Sequence, residues 1–275
     1  MTMPRLGASV RASALAPVLA VVAVLASAGA AIADYPQLIQ QAGPALVTVK
    51  FVLKVTAGGE DRENAGETTG VMIDNHGLVV CSNTQLGGFV RFLRTRVGAI
   101  TATPMDLKVL VGDDTEGAEA RLIARDTEMD LIWLRIKKPS DTPYPFINLA
   151  DSAVPAMGQP LLAVRRMGKY FDRNPMVTEV HLAGITRKPR ELYVPSQPLA
   201  ALGSPVFDVH GKLVGLAVLQ APEESDNSQA AIQEGAGMIL PAAEVLKATK
   251  RALEQAATQP ATTQPAVAPT TQPGR

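Results

Sequence analysis

From Leu46 to Val55 the chain alternates. Val47, Val49, Phe51, Leu53 and Val55 fall on one face, with Thr48, Lys50 and Lys54 on the other. A period of two puts every second side chain on the same side of an extended strand, one face dry and the other wet. Such a strand must find a sheet on which its apolar face can close. A partner pattern comes next: Gly70–Asp74 and Leu78–Ser82 flank Asn75-His76-Gly77, where Asn and Gly tolerate positive φ, so the stretch predicts a hairpin. Further strands are predicted over Leu107–Val111, Ala118–Ala124, Leu131–Ile136, Val177–Ile185, Glu191–Val194 and Gly237–Pro241. Ala57–Thr68 is polar and glycine-bearing and reads as a loop. Two helices are predicted, Tyr35–Ala42 ended by Gly43-Pro44, and Ala242–Ala256 from the spacing of Val245, Leu246 and Leu253.

The ends of the chain differ from its middle. Arg5 and Arg11 precede an apolar run, Ala14–Ala28, and Ala31-Ile32-Ala33 form a small-x-small site before Asp34. Residues 1–33 therefore read as a signal peptide and 34 onward as an exported, periplasmic or secreted, protein. A retained anchor is the alternative; Pro17 and the many alanines argue for removal. No second apolar run suggests a membrane span. Residues 257–275 repeat Thr-Gln-Pro at 258, 263 and 271 and read as a disordered, polyproline-biased tail. The remaining residues suffice for two packed barrels or for two small domains.

Composition narrows the function. Lys+Arg and Asp+Glu both number 26, so no global field favours nucleic acid. The single cysteine, Cys81, excludes an intrachain disulfide and reads as a buried, inert thiol. With His76, His181 and His210 scattered, no metal cluster is visible, and no cofactor is expected. Trp133 sits among alternating neighbours and reads as core. Arg91, Arg94 and Arg96 among Phe89, Phe92 and Leu93 read as a basic flap or, equally, as a solvated hairpin.

Four separated stretches, in order, resemble trypsin-like serine proteases of the HtrA type. GVMIDNHGLVVCSN resembles G-x-I-I-D-x-x-G-x-I-L-T-N-x-H, with Thr84 where the pattern ends in histidine. ARDTEMDLIWLRIK is similar to G-x-D-x-x-x-D-L-A-V-L-x-I, which sets Asp130 at the triad aspartate. INLADSAVPAMGQPLLAVRRMGKYF resembles the opening of the second half, with Arg165-Arg166-Met167 in place of Gly-Asn-Pro. PLAALGSPVFDVHGKLVGLAVL resembles the nucleophile loop and its hairpin, with Gly203, Pro205, Gly211, Val214 and Gly215 in register. Gly237–Pro241 is close to G-F-A-I-P.

The resemblance implies an all-β fold of two packed antiparallel barrels, about 45–137 and 147–241, followed by the 242–256 helix, with no PDZ module. It maps the triad onto Thr84, Asp130 and Leu202, and the oxyanion-hole amides onto Ala200 and Leu202. Only Asp130 matches. A leucine has no lone pair to attack a carbonyl and a threonine is no base at neutral pH, so a peptide- or protein-binding pseudoprotease is expected. Arg165, Arg166, Lys169 and Arg173 are then a cationic rim to the cleft. The rivals are an active serine endopeptidase with a displaced group, and a structural protein whose cleft has collapsed. For the first, Ser204 is the candidate nucleophile and His76 or His210 the candidate base, although Pro205 directly succeeds Ser204 and both histidines adjoin hairpin glycines. No pattern in the chain encodes an oligomeric state.

Overall fold

The computed structural model describes residues 34–92, 100–199, 201–220 and 237–258. The expected signal segment, Arg94, Arg96, Ala200 and the tail beyond Thr258 lie outside the described residues. The first helix, α1 (Tyr35–Ala42), is capped by Asp34, whose side chain accepts from the Gln37 amide at 3.1 Å. It buries Leu38 and Ala42, and a 3-10 turn over Gly43–Ala45 turns the chain into the first strand.

Six strands come next: β1 (Leu46–Ala57), β2 (Glu60–Met72), β3 (Leu78–Ser82), β4 (Thr101–Val111), β5 (Ala118–Asp126) and β6 (Leu131–Ile136). They close in the order β1-β2-β3-β6-β5-β4. Six more are β7 (Pro160–Arg166), β8 (Pro175–Thr186), β9 (Leu192–Pro195), β10 (Pro205–Asp208), β11 (Leu213–Leu219) and β12 (Gly237–Pro241), closing as β10-β11-β12-β9-β8-β7. The fold is thus two closed six-stranded antiparallel barrels. Closure leaves no barrel strand without a neighbour, which answers the demand of the apolar faces for burial.

The loop predicted over Ala57–Thr68 is instead strand. β1 and β2 pair without a break from Leu46↔Val71 to Ala57↔Glu60. The two-residue turn is Gly58-Gly59, with φ of 60° and 85°, a conformation that suits the twist of a tight hairpin and that side chains resist. Lys54 pairs with Asp61 at 2.7 Å, and Thr56 Oγ1 donates to Asp61 Oδ1 at 2.6 Å. The backbone ladder, one charge pair and one hydroxyl bond across the strands hold the tip of this arm. β4 likewise begins at Thr101, six residues before its predicted start, because it pairs with β1 from Thr56↔Thr101 onward.

Each barrel has its own core. Val47, Val49, Val79, Leu110, Leu131 and Trp133 are among the buried residues of the first. Leu161, Leu182, Tyr193, Val206, Val214 and Ile239 belong to the cluster in the second. The closing helix, α2 (Ala242–Thr258), lies against β5 of one barrel and β11 and β12 of the other. It runs two residues past its predicted end, with Thr258 Oγ1 donating to Glu254 and Gln255 carbonyls. Trp133 Nε1–H donates to Thr249 Oγ1 at 3.0 Å, and that hydroxyl donates to Val245 O at 2.8 Å. The indole is core on its strand, and its one polar atom is satisfied by the helix. Among the described residues no helix is long and apolar enough to cross a membrane.

Candidate functional site

Where β3 ends, the chain turns through Asn83 and Thr84, and Asp130 precedes β6 in a left-handed conformation with φ of 57°. That conformation, tolerated by aspartate, turns its carboxylate under the end of β3. Asp130 is fully buried, and its carboxylate accepts three hydrogen bonds. Thr84 N–H donates to Oδ1 at 2.6 Å, while Ser82 Oγ and Leu219 N–H each donate to Oδ2 at 2.8 Å. Burial raises the carboxyl above the ordinary carboxylate range, and the Leu219, Thr84 and Ser82 donors pull it part of the way back. The Thr84 hydroxyl approaches the same carboxylate without hydrogen-bond geometry.

Ser82 and Thr84 belong to the first barrel and Leu219 to the second, so one carboxylate holds the seam between them. Gly203 closes the same seam. It has φ of 82°, and a Cβ there would meet Ser82 N at 2.9 Å and Thr69 O at 3.2 Å, so the loop bearing Leu202 lies on the backbone of the first barrel. Thr84 and Asp130 are in direct contact; Leu202 is one residue from Gly203, which lies against Ser82. Leu202 is half-buried and lines a cleft of about 180 Å³ with Thr69, Gln85, Arg166, Met167 and Ala201. The amide of Ala200 lies outside the described residues.

The sequence-predicted histidines stand apart from this seam. His76 and His210 are exposed in the β2–β3 and β10–β11 turns, and His181 is exposed on β8. The amides of His76 and His210 bond Asp74 and Asp208, as asparagine-like turns do. Ser204 is fully buried, and its Oγ has no hydrogen-bond partner. No group of three or more His, Cys, Asp or Glu among the described residues is placed to hold a metal ion. Cys81 is buried, and burial pushes its thiol far up.

The four basic residues divide into two kinds. Arg166 is directed inward: Nε donates to Leu46 O at 2.7 Å, Nη1 to Arg173 O at 3.3 Å and Nη2 to Gly43 O at 3.4 Å. Burial lowers its guanidinium pKa, and Asp113 opposes that. Arg173 makes a two-pronged bond to Glu67, Nη2 to Oε1 at 2.6 Å and Nε to Oε2 at 3.2 Å. Lys169 is exposed, and Arg165 is half-exposed with Nη2 3.5 Å from Met176 Sδ.

Three participants escaped the sequence patterns. Ser82 was legible in principle, as a polar residue ending a buried strand must have a partner. The Leu219 amide and the Glu67–Arg173 pair are not encoded in any local spacing.

A family model for the trypsin-like peptidase domain matches residues 68–216. No curated protein matches by sequence. Among solved structures, that of Deg5 is 16% identical with a TM-score of 0.52, covering 77% of this chain and 90% of that one. The HtrA-type protease AlgW, solved with a tripeptide, is 17% identical with a TM-score of 0.54, covering 80% of this chain and 64% of that one. At these identities the likeness is one of fold. With the family model spanning more than half of the chain and the paired six-stranded barrels beneath it, the chain belongs to the trypsin-like peptidase domain family.

Proposed function

We propose that this chain is a proteolytically silent member of its family, exported to the cell envelope, that binds a peptide or protein segment in the cleft between its barrels. The carrying observation is the state of Asp130. Its three hydrogen bonds come from Ser82, Thr84 and Leu219, and no imidazole approaches it among the described residues. Acyl transfer needs a hydroxyl, a ring of suitable basicity to take its proton, and a carboxylate to orient that ring. Leu202, at the nucleophile position, has no hydroxyl, and Thr84, at the base position, has no basic ring. The buried Ser204, locked by Pro205 at the start of β10, gives little support to a displaced nucleophile.

Fluorophosphonate labelling tests the reading. The wild-type chain is expected to take up no label and to leave casein intact, and Leu202→Ser alone to remain unlabelled, since a serine without an adjacent base is a poor nucleophile. In proteases of this design, loss of nucleophile or base costs on the order of 10⁶ in turnover. Stoichiometric labelling of the wild type at Ser204, lost in Ser204→Ala, would install the endopeptidase reading instead.

A further inference from the structure

We infer that the pair Glu67–Arg173 is a latch between the barrels at the edge of the cleft, and that Glu67 stands where the carboxylate of an acidic peptide ligand binds. The inference rests on the reading of the cleft as a peptide-binding site and names the ligand's chemistry. Glu67 lies on β2 of the first barrel, while Arg173 lies on the β7–β8 loop of the second. Glu67 and neighbouring Met167 and Gly168 line the cleft, and among its described lining residues Glu67 is the only carboxylate. The paired side chains are 12% exposed for Arg173 and 26% for Glu67, so water screens the contact only in part.

The loop is built to hold the Arg173 backbone in place. Asp172 and Arg173 both adopt positive φ, 54° and 53°, which non-glycine residues accept only when their surroundings enforce it. The enforcement is visible: Arg166 bonds the Arg173 carbonyl, and Met167 and Arg173 amides bond Asn174 and Gly168 carbonyls. The Arg173 backbone is therefore fixed independently of Glu67, while the guanidinium itself bonds Glu67. Release of Glu67 frees that fork, on a fixed backbone, for a planar carboxylate, with Arg165 of the cleft lining adding positive charge. The opposing charges in this region are Asp172 on the loop and Asp113, which acts on Arg166. A ligand carboxylate competes with Glu67, so the latch makes empty-cleft binding selective for acidic segments and weaker than the bare site allows.

The test compares the full chain with Glu67→Gln by fluorescence anisotropy. The probes are a labelled, C-terminally amidated peptide of alternating Glu and Ala, its Gln counterpart, and the acidic peptide with a free C-terminus. Glu67→Gln is expected to bind the amidated acidic peptide about threefold tighter than wild type, and Arg173→Gln to lose the preference for it over the Gln peptide. A gain confined to the free C-terminus identifies the terminal carboxylate as the source. The released guanidinium should also speed trypsin cleavage after Arg173 in Glu67→Gln, a readout independent of the probe. Equal affinity of wild type and Glu67→Gln for the acidic peptide, with the Gln peptide still bound, overturns the latch and leaves the cleft reading standing. Binding of none of the peptides by any variant removes both.

Discussion

A buried carboxylate surrounded by hydrogen-bond donors is a structural part before it is anything else, and Asp130 is such a group. Asp130→Ala would take their shared acceptor from the buried Ser82 hydroxyl and from the part-buried Thr84 and Leu219 amides. Losing an acceptor costs a buried donor about 1–3 kcal/mol, and alanine at φ of 57° adds strain, so a loss of ~3 kcal/mol is expected in urea unfolding. The pH dependence has a definite sign. Because the folded carboxyl is raised above its unfolded value, its contribution is fully present below the ordinary carboxylate range near ~3.9 and is lost as pH rises through the raised folded value. The stability of wild type minus that of Asp130→Asn should therefore fall with rising pH across that window and flatten above it. A difference that grows with pH would contradict the burial argument. Asp130 and Thr84 could be found in sequence because their motifs run in chain order. The Leu219 amide could not, since no residue pattern tells which way a backbone N–H will point from a strand 89 positions away.

At the scale of elements, β-strands were readable where one face met a core. Leu46–Val55 keeps its alternation where one side turns to solvent, while Leu78–Ser82 and Leu131–Ile136 are buried almost throughout and read as short apolar runs. The arm of β2 from Glu60 to Gly66 stands largely in solvent and carries charges in any order, which is why it looks like a loop in sequence. The same misreading hid Glu67, 106 residues from its partner Arg173. The helix α2 offers a cleaner test of packing. Thr249→Val removes the acceptor of the Trp133 N–H inside a dry contact, leaving that donor unpaired. A loss of about 1–3 kcal/mol is expected, and Trp133→Phe in the same background should recover part of it, because the orphan donor goes with the indole. Additive losses in the double variant would show that the indole finds another partner.

Taken whole, the domain is one body in which both barrels share a buried carboxylate, a loop-on-backbone contact at Gly203 and a common helix. Arg190 adds another tie, its guanidinium bonding the Glu128 carbonyl at 2.7 Å and its carboxylate at 3.2 Å across the seam. The described structure begins at Asp34, whose side chain caps α1. Removal of residues 1–33 in export would thus leave the cap intact, and N-terminal sequencing of exported material should read Asp34-Tyr35-Pro36. An intact Met1 or Thr2 in the membrane fraction would point to an anchor. The placement of α2 also sets a timetable. Trp133 waits for a hydroxyl 116 residues further along the chain, and β5 waits for the same helix to cover it. At synthesis rates of about 5–20 residues per second, the first barrel emerges roughly ten seconds before its helix exists. For that interval the nascent chain is incomplete at the surface that later becomes its interior, a state open to a chaperone and suited to the export proposed for it, since a chain must cross a membrane before it sets.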